Sequence, residues 1–402
     1  MMNKSEAMTG KVIDSFRMKY GDDRKPVISF APGRVNLIGE HTDYNGGHVF
    51  PCALSMGIYM AGEKRNDEKL SFYSVNMTDE SVISSSVNEL VPLTEKGWTS
   101  YIKGVIWAFA ERGMKIDRGM DIVIGGDIPQ GAGLSSSAAL EVAAGNLIRE
   151  LYGFEVSNEE IAVIGKEAEN RYVGMNCGIM DQFASAMGRK DNAIYLDTES
   201  LEYRYVPLDM DGKLIVITNT NVEHELASSA YNDRRRECAK AFEILKEEYA
   251  KQGRTINALG ELSNEDFEKA AKVLKDPILY KRARHAVSEN ERTLEAVKAL
   301  EAGDIEKFGN LMNESHRSLR DDYEVSCREL DILAEAAQET EGVYGSRMTG
   351  GGFGGCTVSI VDRRAAESFK EKVSGVYREK TERECSFYTV SAGDGPSIIK
   401  PF

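Results

Sequence analysis

The chain has 402 residues, 42% of them hydrophobic and 29% charged, with a formal net charge of −15. That length exceeds what one hydrophobic core usually serves, so two domains are expected, and the composition is that of an ordinary globular protein. The acidic balance argues against non-specific binding to nucleic acid or an anionic membrane, both of which reward a basic face, so an anionic substrate needs a locally positive site.

The opening stretch "MMNKSEAMTGKVIDSF" has no apolar run of signal-peptide length, and no later segment approaches a membrane span, so a cytoplasmic protein is expected. Strand signals follow in "VISF" (Val27 to Phe30) and "MDIVIGG" (Met120 to Gly126). Ser137 to Tyr152 places Ala138, Ala139, Val142, Ala143, Leu147, Ile148 and Leu151 at helical spacing, with Gly153 as a stop. Near position 200 "GRKDNAIYLDTESLEYRYVPLD" turns to short alternating runs, and "KLIVITNT" is another strand. The division falls there, into 1–200 and 201–402. From Asn232 to about Glu341 long charged helices predominate, and "GGGFGGCTVSIV" then runs a glycine loop into a strand. Both halves therefore read as α+β. The six cysteines, from Cys52 to Cys385, contain no C-x-x-C pair and read as reduced thiols.

Four stretches carry chemistry. "APGRVNLIGEHTDYNGG" crowds Arg34, Glu40, His41 and Asp43 into ten positions. In "GGDIPQGAGLSSSAALEVA" a strand breaks into a glycine- and serine-rich loop before a helix, and such a loop cradles a phosphate with backbone N–H groups alone. It is neither a Walker A nor a Rossmann fingerprint, since no G-x-x-x-x-G-K-[ST] occurs and the latter would need glycine at Ser136. A serine-rich N-cap on a core helix explains the same residues equally well. "NCGIMDQFAS" sets Asp181 among apolar and small residues, as a helix cap, a general base or an electrostatic anchor. "GSRMTGGGFGG" has five glycines between Gly350 and Gly355, an entropic cost that suits a ligand-adjacent loop better than a plain turn.

Together these motifs, in this order and spacing, resemble the GHMP small-molecule kinases, and "GRVNLIGEHTDYNGG" resembles the signature of the galactokinase branch. The resemblance implies an N-terminal ribosomal protein S5 domain 2-like unit and a C-terminal α+β sandwich, with the active site in the cleft between them. It implies ATP-dependent phosphorylation of the C1 hydroxyl of galactose, with Mg2+, in galactose metabolism, by a monomer without nucleic-acid or membrane partners. Asp181 is implied as catalytic base or anchor, and Arg34 as stabiliser of charge. Glu40, His41, Asp43, Gly178 and Tyr231 are implied at the sugar. Gly131, Gly133, Leu134, Ser135, Ser136, Ser137 and Trp98 are implied at ATP, and Ser137 and Glu169 at the metal. A kinase of an N-acetylated amino sugar or of arabinose, and a non-catalytic galactose sensor, are the alternatives. The intact "GLSSSAA" disfavours the sensor.

Overall fold

The computed structural model describes residues 4–79, 81–94, 96–129, 131–208, 210–222 and 227–400. In chain order, α1 (Lys4–Tyr20) leads to β1 (Val27–Asn36), β2 (His48–Val49), β3 (Pro51–Lys64), β4 (Lys69–Ser74) and β5 (Ile83–Ser86). Next come α2 (Thr99–Glu111), β6 (Met120–Gly126), α3 (Ser136–Tyr152), α4 (Asn158–Glu167) and α5 (Met180–Ala186). The chain continues through β7 (Asn192–Asp197), β8 (Tyr203–Pro207), β9 (Lys213–Asn219), α6 (Ala227–Lys251), α7 (Asn264–Ala270), α8 (Pro277–Glu301), α9 (Ile305–Ser318) and α10 (Arg328–Gln338). It ends with β10 (Val343–Thr349), β11 (Cys356–Asp362), α11 (Ala366–Thr381), β12 (Ser386–Val390) and β13 (Ser397–Ile399).

The first sheet has the order β13-β1-β3-β6-β4-β5, antiparallel except where β4 runs parallel to β6. Its strands alternate inward residues between two faces. Met60 and Ile122 join the core under α2 and α3, while Tyr59, Ala61 and Val123 pack under Val12 and Phe16 of α1. The second sheet, β10-β11-β9-β12, is wholly antiparallel. Ile215 and Ile217 share a core with Phe308 and Met312 of α9, and Val216, between them, faces Leu333 of α10 and Phe369 of α11. The core containing Ile217 also takes in Leu37 and Phe50 from the first half, so buried apolar side chains run without a break between the halves.

Two local features set the place of Arg34. The pairing of β1 with β3 slips between Pro32 and Arg34, a bulge of the kind that re-aims a side chain. A Cβ at Gly33 would stand 2.7 Å from the Leu134 carbonyl, so only glycine lets this strand lie against the loop before α3. The Arg34 N–H donates to that same carbonyl at 3.2 Å.

Candidate active site

β1 delivers Arg34 and α5 delivers Asp181 in its first turn, where the helix dipole favours a carboxylate. The two meet in a bidentate pair: Arg34 Nε donates to Oδ1 at 2.8 Å and Nη2 to Oδ2 at 2.7 Å. The third guanidinium nitrogen, Nη1, donates to the Gly133 carbonyl at 2.7 Å. Ser135 Oγ donates to Asp181 Oδ2 at 2.6 Å. Ser135 occupies the N-cap position of α3 in a left-handed conformation, φ 56°, and its side chain makes no capping bond. The serine-rich N-cap reading is thereby corrected at this position, because the hydroxyl is committed to Asp181. The first N–H groups of α3 thus receive no cap from the Ser135 side chain, and the loop before them carries Gly131 and Gly133, both also at positive φ. Gln130 of that loop lies outside the described residues.

The loop after β1 forms the other wall. Thr42 Oγ1 donates to Gly39 and His48 carbonyls, and Asn45 Nδ2 donates to the His41 carbonyl at 2.8 Å, so the loop is braced by its own short polar side chains. Arg34, Glu40, His41, Asp43, Cys177, Gly178, Asp181, Tyr231, Gly350 and Gly351 line a single cavity. Five residues expected at the sugar and both expected catalytic residues thus come together. Asp43 sits so close to Gly178 that a Cβ there would be 1.7 Å from Oδ2, which makes glycine obligatory. Burial, then the nearby charges of Asp181 and Glu40, push the Asp43 carboxyl up to about 6.

Glu40 is held differently. Its Oε1 accepts from Gly350 N at 2.7 Å and Thr349 Oγ1 at 3.0 Å, with Arg347 Nη1 at 3.4 Å, so its other oxygen, Oε2, is the one left to offer the cavity. Arg347 is itself fully buried. Its Nε donates to Ser315 Oγ at 3.1 Å, and Ser315 donates to Glu289 Oε1 at 2.6 Å. Glu289 in turn accepts from the Gly39 N–H at 3.0 Å and from Arg292 Nε at 2.9 Å. Burial alone would raise the Glu289 carboxyl, but Arg292, His285 and Arg347 outweigh it and hold the group down to about 2.

His41 stands at positive φ, 61°, with ring centroids of Tyr323, Tyr231 and Tyr44 at 4.8, 5.6 and 5.9 Å. Burial first, then the nearby His285, Arg347 and Arg234, lower its pKa to about 3, so the imidazole is neutral.

Beyond Asp181 lie Glu169, in a π-helical turn after α4, and Ser137 on α3. Ser137 lies beside the Glu169 carboxyl and opposes the rise in its pKa. Gln182 Nε2 donates to Glu169 Oε2 at 2.6 Å and to Glu141 Oε2 at 2.9 Å, joining two buried acids. Burial and the charge of Asp181 raise the Glu169 pKa, and burial and Glu169 raise that of Glu141. A hydroxyl beside a carboxylate, with further acids nearby, fits a hard divalent ion that keeps several waters. Among the described residues no cluster of three or more His, Cys, Asp or Glu could hold a metal, so such an ion would depend on substrate oxygens as well. Ser136, Ser137, Trp98, Tyr101, Ile58 and Ile128 line a second cavity of about 250 Å³ on the far side of the serine loop. Leu134 itself is buried in the core beside Ile128.

Arg347, Glu289, Glu141, Gln182, Cys177, Tyr44 and Tyr323 are site residues that sequence reasoning does not single out. Tyr44, Glu141, Cys177, Gln182 and Arg347 lie inside the quoted motifs, and Glu141 is an acid in the buried stripe of α3, a signal that could have found it. Glu289 and Tyr323 fall in a long helical region with no local mark.

The chain resembles known proteins along most of its length. Residues 14–64 match the galactokinase galactose-binding signature, 100–189 the GHMP kinases N terminal domain and 296–379 the GHMP kinases C terminal family. The chain is 49% identical to a galactokinase of Ligilactobacillus salivarius, over 98% of this chain and all of that protein. It is 50% identical to one of Clostridium acetobutylicum over 92% of this chain and 94% of that one. The crystal structure of Lactococcus lactis galactokinase complexed with galactose superposes with a TM-score of 0.93 at 42% identity, covering 97% of this chain and 99% of that chain. A mevalonate kinase, with a TM-score of 0.62 at 18% identity, shares the fold.

Proposed function

The chain belongs to the galactokinase family of GHMP kinases, and from that premise we propose that it transfers the γ-phosphoryl group of ATP to the C1 hydroxyl of galactose, releasing ADP. The observation that carries the reading is the Arg34–Asp181 pair, which sits where the acid-lined cavity meets the glycine–serine loop.

A neutral sugar offers only hydroxyls, so recognition rests on acceptors and donors that would be left unpaired by the wrong epimer. Asp43 and Glu40 Oε2 accept from ring hydroxyls, and His41, Tyr231 and the backbone beside Gly178 close the rest of the ring. Asp181 orients the C1 hydroxyl and takes its proton as the bond to phosphorus forms, while Arg34 holds the carboxylate in place and faces the developing negative charge. Because phosphoryl transfer has a loose transition state, positioning and charge stabilisation do most of the work. The N–H groups at the start of α3, with the loop of Gly131, Gly133, Leu134, Ser135 and Ser136, cradle the phosphates, and the cavity beside Trp98 takes the adenine. Ser137 and Glu169 would hold Mg2+, which when bound neutralises charge on the phosphate oxygens.

A panel of sugars with ATP, read by ADP release, tests the proposal. Galactose is expected to give the highest kcat/KM. Turnover of an N-acetylated amino sugar or arabinose ahead of galactose would replace the substrate, and binding of galactose without any turnover would make the chain a sensor.

A further inference from the structure

One nitrogen of a residue lining the sugar cavity has no hydrogen-bond partner among the described residues. His41 Nε2 is buried without a hydrogen bond, while Nδ1 lies 2.7 Å from Tyr44 Oη. The chain of contacts continues: Tyr44 Oη is 2.8 Å from Tyr323 Oη, and that oxygen is 3.1 Å from Cys238 Sγ. Each phenol has one proton and two neighbours, so all the protons in this relay point the same way.

In one direction the Cys238 S–H donates to Tyr323, Tyr323 to Tyr44 and Tyr44 to Nδ1; in the other Nδ1–H donates to Tyr44 and the last phenol donates to sulfur. The sulfur end does not choose between them, since a thiol is a weak donor and a weak acceptor alike. The cavity does: it is lined by the carboxylates of Glu40, Asp43 and Asp181, all acceptors when ionised. An imidazole turning a bare lone pair toward them adds a further acceptor, whereas an N–H supplies a donor. The packed tyrosine rings hold the imidazole in place.

We propose that the Tyr44–Tyr323–Cys238 relay fixes His41 as the Nε2–H tautomer, so that His41 donates a hydrogen bond to a sugar hydroxyl oxygen that the surrounding acids can only accept from. Tyr44 and Tyr323 are then positioning residues for substrate binding. The inference rests on the sugar reading given under Proposed function for its purpose, but not for its geometry.

The tautomer is read directly by long-range 1H–15N correlation on histidine-labelled protein without sugar, where five imidazoles are present and His41 is assigned by its loss in His41→Gln. Wild type is expected to show Nε2–H, with Nδ1 shifted by an accepted hydrogen bond; an Nδ1–H tautomer overturns the proposal. Tyr44→Phe, which keeps the ring packing, is expected to abolish the hydrogen-bond shift at Nδ1. It is also expected to raise the galactose KM by roughly fivefold, the size of one neutral hydrogen bond, with kcat little changed. An unchanged Nδ1 shift and KM in that variant overturns it as well. If the Nε2–H tautomer is found but galactose is not turned over, the functional reading fails and the relay stands; Nδ1–H with normal turnover gives the reverse.

Discussion

Asp43 and Asp181 face one cavity in opposite electrostatic settings. Asp181 has a bidentate guanidinium; Asp43 has burial and two negative neighbours, and its carboxyl is pushed up from 3.8 to about 6. Because the folded value lies above the unfolded one, protonation favours the fold: the stability is fully present below about pH 4 and is lost as pH rises through 6. Asp43→Asn is therefore expected to melt higher than wild type at pH 7.5, with the gap closing by pH 4, while its galactose KM rises. Melting curves at both values check this, and an equal difference at both would remove the carboxyl's charge from the explanation. For Asp181→Asn the expectation is a fall in kcat of roughly 10²- to 10⁴-fold with galactose still binding by calorimetry; a near-normal kcat would take Asp181 out of the chemistry. These residues are legible because they stand inside motifs. Glu40 is legible as a site residue but not as one whose Oε1 is taken by Thr349, Gly350 and Arg347, since those partners stand some 310 positions away in the chain.

At the scale of elements, strands and helices are legible where the apolar period is clean. Met120–Gly126 is a strand as expected, and the helix expected from Ser137 begins at Ser136 and stops at Gly153. β1 runs on from Phe30 to Asn36, which the sequence hides because Pro32 and Gly33 suggest a break. The bulge that absorbs them is what aims Arg34. Two π-helical turns, Ala168–Val173 and Leu319–Tyr323, carry Glu169 and Tyr323, and such turns arise from tertiary packing rather than from a local pattern. α8 contributes most through Glu289, which ties Gly39, Ser315 and Arg292 together. Removing one member of a buried charge network leaves the others uncompensated, so Glu289→Ala is expected to cost about 3 to 5 kcal/mol of stability by denaturant titration. A loss below about 1 kcal/mol would show the network to be dispensable.

Across the whole molecule, the α+β class and a cleft lined by well-separated motifs are both legible. The division at residue 200 is a proposal, and contacts cross it: β8 pairs with β7, and β13, from the end of the chain, pairs with β1. Sequence could not show that return, since three residues with no partner nearby carry no periodic signal. The six cysteines form no disulfide, and among the described residues no helix is long and apolar enough to cross a membrane. On the function proposed above, the assembled parts position one hydroxyl, at C1, against a phosphate held by the α3 loop. The most direct test is the product of a reaction with galactose and ATP, followed by 1H–31P correlation NMR. The new phosphorus signal is expected to couple to the anomeric proton H1, with one ADP formed per galactose consumed. A phosphorus signal coupled to the C6 protons, or ADP formed without any phosphorylated sugar, would contradict it.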